Sequence, residues 1–134
     1  MTKYPDYLLP VLERVNPEYG VTISCDEGWW SLVALCDKEL SSVDPLYTIF
    51  QIKEKFGGLR YYYSPSNPTN TEQMDNIIRK YEKICAMTCE ATGKHGLLMR
   101  HGVSFQLKTL NESFIGQGWE PRANSDTVIV REQN

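Results

Sequence analysis

The run from Leu46 to Tyr63 fixes one element that any fold of this chain must contain. Leu46-Tyr47-Thr48-Ile49-Phe50-Gln51-Ile52 is rich in β-branched and aromatic residues and reads as a strand, and Leu59-Arg60-Tyr61-Tyr62-Tyr63 reads as a second. Between them the pair Gly57-Gly58 supplies backbone that tolerates positive φ, so a β-hairpin is the expected connection.

Helical periodicity surrounds this hairpin. A short first helix is expected within residues 5–16, with Pro10 in or near its first turn. A second runs to about residue 41, with Asp26 as N-cap and Trp29, Leu32, Val33, Cys36 and Leu40 at helical spacing, until Pro45 enforces extended backbone. Asn70 and Gln73 have the spacing of a capping box that opens a third helix, whose stripe includes Met74, Ile78, Tyr81 and Cys85 and whose C-terminal signal is Gly93. Beyond it, Leu97–Arg100 and Val103–Leu107 suggest a second hairpin turning at His101-Gly102, followed by a small helix over residues 111–115 and a last strand over about 127–131. The layout lacks a regular βαβ alternation, so the expected class is α+β. The expectation is a small single domain, 1–134, with an antiparallel hairpin sheet packed against two main amphipathic helices and a core over about 23–121.

No stretch of about 18 apolar residues occurs and the first residues lack the apolar region of a secretory signal, so a soluble cytoplasmic protein without membrane partners is expected. The formal charge of −3 is unevenly spread. Residues 1–52 carry three cations against eight anions, whereas residues 53–108 carry nine against five. The middle of the chain can therefore attract an anionic ligand, while net acidity argues against tight binding to duplex nucleic acid and no sequence-specific nucleic-acid motif is present.

The candidate ligand residues cluster in the hairpin. Lys53, Lys55 and Arg60 offer cations for phosphate, Gly57 and Gly58 offer open backbone, and Tyr61 and Tyr63 offer rings on which a base can stack. Arg100 adds a fourth cation, and Trp30 a further ring, since two adjacent indoles at 29 and 30 cannot both face one core. The alternative is an ordinary solvated hairpin tip. The G-x4-G-K-[ST] pattern of a phosphate-binding loop is absent, and no cofactor motif or complete catalytic signature occurs, so an enzyme is the weakest expectation.

Cysteines stand at 25, 36, 85 and 89. Reduced, buried thiols are expected in a cytoplasmic chain. Cys85 and Cys89 would share one helix face, with His95 and His101 downstream, but the C-x3-C spacing inside a helical pattern is not that of a zinc turn, and no metal is expected.

Three segments carry a resemblance. Cys25-Asp26-Glu27-Gly28-Trp29-Trp30, Gln51-Ile52-Lys53-Glu54-Lys55-Phe56-Gly57-Gly58-Leu59-Arg60-Tyr61-Tyr62 and Cys89-Glu90-Ala91-Thr92-Gly93 resemble successive motifs of a family of small uncharacterised proteins of tailed phages and prophages, over residues 25–121. Many of those relatives show C-E-x-C-G where this chain has Thr92, so one thiol of a zinc knuckle is missing here. The resemblance implies a phage context, and with it action in the cytoplasm of a host cell, but no established activity. Two functions follow as expectations. One is a non-enzymatic accessory protein, of counter-defence type, that binds a phosphorylated nucleotide or nucleotide-derived signal. The other is an immunity-type inhibitor whose acidic first third and exposed tryptophan meet a host defence protein. A site shared between chains would suit a symmetric homo-oligomer.

Overall fold

The hairpin forms as its composition dictates, with one shift in the turn. Strand β2 spans Thr48–Lys55 and strand β3 spans Gly58–Ser64, paired antiparallel with Lys55 opposite Gly58. The loop is therefore Phe56-Gly57, with φ of 56° and 83°. Positive φ at both loop residues matches the twist of the flanking strands, whereas the expected Gly57-Gly58 pair would have begun the turn one residue late. Gly58 instead opens β3.

The computed structural model describes residues 3–20 and 23–122. In chain order the helices are α1 (Leu9–Arg14), α2 (Trp30–Val43) and α3 (Thr71–Cys85). The remaining strands are β1 (Ile23–Ser24), β4 (Leu97–His101), β5 (Leu107–Leu110) and β6 (Trp119–Pro121). Two three-stranded sheets result, ordered β1-β2-β3 and β5-β4-β6. The architecture is α+β. β1 runs parallel to β2, with Ile23 opposite Ile52, and the pairs β2–β3, β4–β5 and β4–β6 are antiparallel.

Alternation along the first sheet sends Ile49, Ile52, Leu59 and Tyr61 into a core completed by α2 through Val33, Cys36 and Leu40 and by α3 through Met74, Ile78, Tyr81 and Cys85. Leu8, Val11 and Val15 join it, so the core reaches back before residue 23. A second apolar cluster, Cys89, Met99 and Leu110, lies under the second sheet. Backbone contacts lock the two together. Gly28 N–H donates to the Glu90 carbonyl at 2.7 Å, and Trp29 Nε1 donates to the Thr88 carbonyl at 2.8 Å. A Cβ on Gly28 would stand 2.4 Å from the carbonyl oxygens of Cys89 and Glu90, so this approach admits only glycine.

Several expected signals are used differently. Asp26 does not cap α2, because its carboxylate receives Lys108 Nζ at 3.1 Å. Asn70 makes no capping box, since its amide donates to Asp44, and Asn67 instead accepts from Thr69 N–H one turn earlier. α3 ends at Cys85, where Thr88 Oγ1 donates to the Ile84 carbonyl, so Cys89 is not on that helix and Gly93 belongs to the turn after it. The second hairpin is present, but residues 102–106 form its loop and β5 begins only at Leu107. The expected small helix is a single 3-10 turn, Glu112–Phe114, and β6 has no counterpart in the sequence expectations. The expected strand at 127–131 lies outside the described residues. Among the described residues no helix is long and apolar enough to cross a membrane.

Candidate functional site

Because Ile52 and Tyr61 face the core as a cross-strand pair, the next pair, Lys53 and Arg60, faces the opposite way. Lys55 and Tyr62 share this outer face by the same period of two. Like charges directly opposite each other on a sheet are destabilising, and neither Lys53 nor Arg60 has a carboxylate within ion-pair distance among the described residues. Beyond the next outward pair, Gln51 and Tyr62, a bulge between Ile49 and Gln51 turns Phe50 outward beside Gln51. Phe50, Gln51, Tyr62 and Tyr19 line one shallow cleft of about 390 Å³. Tyr62 is 44% exposed, and the Tyr19 and Phe50 rings meet edge to face at 5.1 Å. The arrangement is a row of uncompensated cations leading to an aromatic platform.

The other sequence candidates divide between this face and elsewhere. Tyr61 is 5% exposed, and its hydroxyl shares a 2.7 Å hydrogen bond with Tyr47, whose own hydroxyl donates to buried Asp37. It is a core residue and cannot stack on a ligand. Burial is also the main reason its phenol is held far above the ordinary range. Tyr63 shares the inner side of β3 and donates to Asp75 Oδ1 at 2.6 Å, so the outward ring of the triple tyrosine is Tyr62. Gly57 offers no open backbone. Its N–H donates to Glu54 Oε2 at 2.8 Å and its carbonyl accepts from Thr109 Oγ1 at 2.8 Å. Trp30 is distant in kind: its indole N–H donates to the Cys25 carbonyl and its ring packs on Tyr4 at 5.2 Å, in a cleft with Lys3 and Glu27.

Arg100 belongs to β4, where its guanidinium lies 5.6 Å from the centre of the Phe105 ring. Lys55 stands in the same relation to Phe56, also at 5.6 Å. The two phenylalanines, each 66% exposed, line one cleft of about 310 Å³ with Glu54, Gln106 and Leu107. Both adopt positive φ, 56° and 60°, a conformation that bulky side chains rarely take. The alternation of the tyrosines sets Tyr62 apart from Tyr61 and Tyr63, but the sequence expectation places the wrong pair outward. The bulge at Phe50, the approach of Tyr19 and the meeting of two hairpin tips depend on tertiary packing that sequence spacing does not encode.

The proposed metal ligands do not converge. Cys85 closes the first core, Cys89 sits in the second cluster and His95 is exposed. His101 Nδ1 accepts from the N–H groups of Val103 and Ser104. Among the described residues no group of three or more histidine, cysteine or acidic side chains is placed to hold a metal. All four thiols are buried. Burial raises Cys25 and Cys36 and pushes Cys85 up to about 12. For Cys89 burial acts upward too, but donors from Thr92, Asn111 and Ala91 outweigh it and hold the thiol below its ordinary value.

Glu90, 1% exposed, joins the two sheets. Its Oε2 accepts from Asp26 N–H at 2.9 Å, and Lys108 Nζ stands 3.5 Å from Oε1 and 3.1 Å from Asp26 Oδ2. Burial raises its pKa, against the lowering effects of the Asp26 N–H and Lys108. Its role as a tie between lobes is sufficient to account for its position. Comparison with family models, with curated proteins and with solved structures found no match to this chain.

Proposed function

We propose that this protein is a non-enzymatic binding module that captures a phosphorylated nucleotide on the outer face of the β2–β3 hairpin. The observation that carries the reading is the cross-strand pair Lys53 and Arg60, two like charges held side by side with no carboxylate in ion-pair distance among the described residues, on the same face as the exposed Tyr62 ring. An anionic group between them relieves their repulsion, Arg60 presents a planar fork to phosphate, and the platform of Tyr62, Phe50 and Tyr19 receives a base. In the phage setting implied by the sequence resemblance, sequestration of a nucleotide-derived signal in the host cytoplasm is a counter-defence activity.

Isothermal calorimetry with mono-, di- and cyclic nucleotides tests this. Arg60→Ala removes a charge-assisted pair of hydrogen bonds and should weaken binding by about one to two decades. Lys55→Ala should act in the same direction, more strongly at low salt. Both should leave the melting temperature nearly unchanged, because exposed charges contribute about 0.5 kcal/mol or less to folding. Wild type that binds no nucleotide, or variants that bind as well as wild type, refutes the reading.

A second reading, a protein-binding inhibitor, is favoured by one observation. A groove of about 640 Å³ between α1 and α2 is lined by Tyr7, Pro10, Ala34 and Leu35, with Arg14 and Asp37 at its polar edge. Such a surface suits an apolar anchor from a partner protein. A Leu35→Asp variant that still co-elutes with the same host protein as wild type rules out this groove.

A further inference from the structure

The outer-face platform is one of two aromatic stations, and the second lies at the tip. Phe56 and Phe105 come from different sheets, are equally exposed and line one cleft, each with a cation over its ring. The hairpin turn accounts for the positive φ of Phe56, but not for the exposure of two phenylalanine rings side by side in one cleft, which leaves their apolar faces open to a partner. Lys55 connects the stations, because it stands over Phe56 and shares the outer face with Lys53 and Arg60.

Along β2 the four-residue step from Gln51, the neighbour of Tyr62, to Lys55 is about 13 Å at roughly 3.3 Å per residue, and Phe56 lies one residue beyond in the turn. A single nucleotide placed on Tyr62 cannot also reach the tip. A chain of bases joined by phosphates can, since its charges repeat between its rings as they do on this surface. Neither station is an enclosed cavity: the Tyr62 cleft opens on the outer face, and the tip cleft, lined also by Glu54, opens where the hairpin loop meets Gln106 and Leu107 of the second sheet, with Lys55 between them.

We infer that the ligand is a short single strand of nucleic acid, bound without sequence preference, whose bases stack at the Tyr62 platform and in the Phe56–Phe105 cleft while its phosphates run past Lys53, Arg60 and Lys55. The inference rests on the nucleotide reading above and specifies its ligand class. The site spans on the order of four nucleotides, the lower end for single-strand platforms. Paired bases hide their faces, so a duplex is excluded from both stations.

The test uses the full-length protein and fluorescein-labelled oligothymidylate and oligouridylate octamers, with dTMP and UMP measured by calorimetry and a blunt duplex of equal length as comparison. Octamers should bind at least about tenfold more tightly than either mononucleotide or the duplex, because stacking of each added base contributes that much or more. Tyr62→Ala and Phe105→Ala should each weaken the octamer about tenfold, whereas only Tyr62→Ala should weaken the mononucleotide. The octamer should show a log–log salt slope that Arg60→Ala reduces by about 0.7. A difference between the thymidylate and uridylate arms identifies whether the strand is DNA or RNA. Thermal melts of each variant establish that it is folded. Mononucleotides that bind as tightly as octamers overturn the single-strand inference and leave the nucleotide reading standing. Absence of binding by octamers and mononucleotides alike overturns both. Phe105→Ala that binds the octamer like wild type removes the second station and with it the inference.

Discussion

Asp44 offers the sharpest test of the fold, because one side chain organises two segments. It is 1% exposed and accepts five hydrogen bonds. Leu46 N–H and Ser66 Oγ reach Oδ1, while Ser66 N–H, Asn67 N–H and Asn70 Nδ2 reach Oδ2. It thereby pins the entry to β2 and the loop that leads into α3. Burial alone would raise its pKa, but the donors from Ser66, Asn70 and Asn67 outweigh burial and hold it at about 2, against an ordinary 3.8. At about 1.4 kcal/mol per pH unit, that difference corresponds to about 2 kcal/mol of charge-dependent stability, an upper bound because the donor loop is exposed and water screens part of it. The pKa is lowered by folding, so the contribution is present above about pH 4 and is lost as pH falls through about 2. Asp44→Asn should cost about 2–3 kcal/mol at pH 7, since the amide also points a donor at donors, and should lower Tm by roughly 5–10 °C. Urea unfolding of both proteins at pH 7, 5, 3 and 2 measures the gap. It should narrow by about 2 kcal/mol toward pH 2. A gap that does not change with pH, or a variant as stable as wild type at pH 7, refutes the assignment of Asp44 as an ionised hub.

Three further outcomes are expected. Purified protein should contain no stoichiometric zinc and should melt unchanged in chelator, with its four buried thiols labelling slowly until denaturation; one zinc per chain, or rapid native labelling of three or four thiols, contradicts this. Folding raises the Glu90 pKa, so wild type should gain stability relative to Glu90→Gln as pH drops from 7 to about 4, and a wild type that instead loses stability relative to the variant over that range in urea unfolding would show the carboxyl is not disfavoured as an anion. Lys53→Glu should place opposite charges across the strands, raising stability by about 0.5 kcal/mol in urea unfolding while abolishing nucleotide binding in calorimetry; unchanged binding would show that the outer face holds no anion.

Local patterning carried far into this structure and stopped where packing chose among equals. The alternation of Leu59, Tyr61 and Tyr63 against Arg60 and Tyr62 was legible, and so were the stripes of α2 and α3, because burial on one face leaves a period in the sequence. Which member of each alternation faces inward was not legible for the tyrosines, since all three are equally apolar and equally able to hydrogen-bond. The buried Asp37 decided it by accepting from Tyr47, which in turn bonds Tyr61. Capping signals failed for a related reason. Asp26 and Asn70 have side chains suited to local caps, yet Lys108 and Asp44 lie 82 and 26 residues away in sequence and offer charged partners. Short strands such as β6 carry too few residues for a period, and their pairing is set by the strand beside them.

The candidate site was legible in its charges and not in its rings, and the difference is instructive. Lys53, Lys55 and Arg60 announce themselves because a charge on a strand must face water, and the register then places them on one side without further choice. Aromatic residues are welcome both in a core and on a surface, so only the fold can sort them. It buries Tyr61, half-buries Tyr63 and leaves Tyr62, Phe56 and Phe105 exposed. Gly57 shows the same sorting in the backbone: its N–H is taken within the hairpin by Glu54 and its carbonyl by Thr109, which docks the tip on the second sheet. On the hairpin, folding thus consumes the inner face and the polar groups of Gly57, and leaves the outer cations and the Tyr62 and Phe56 rings exposed to solvent.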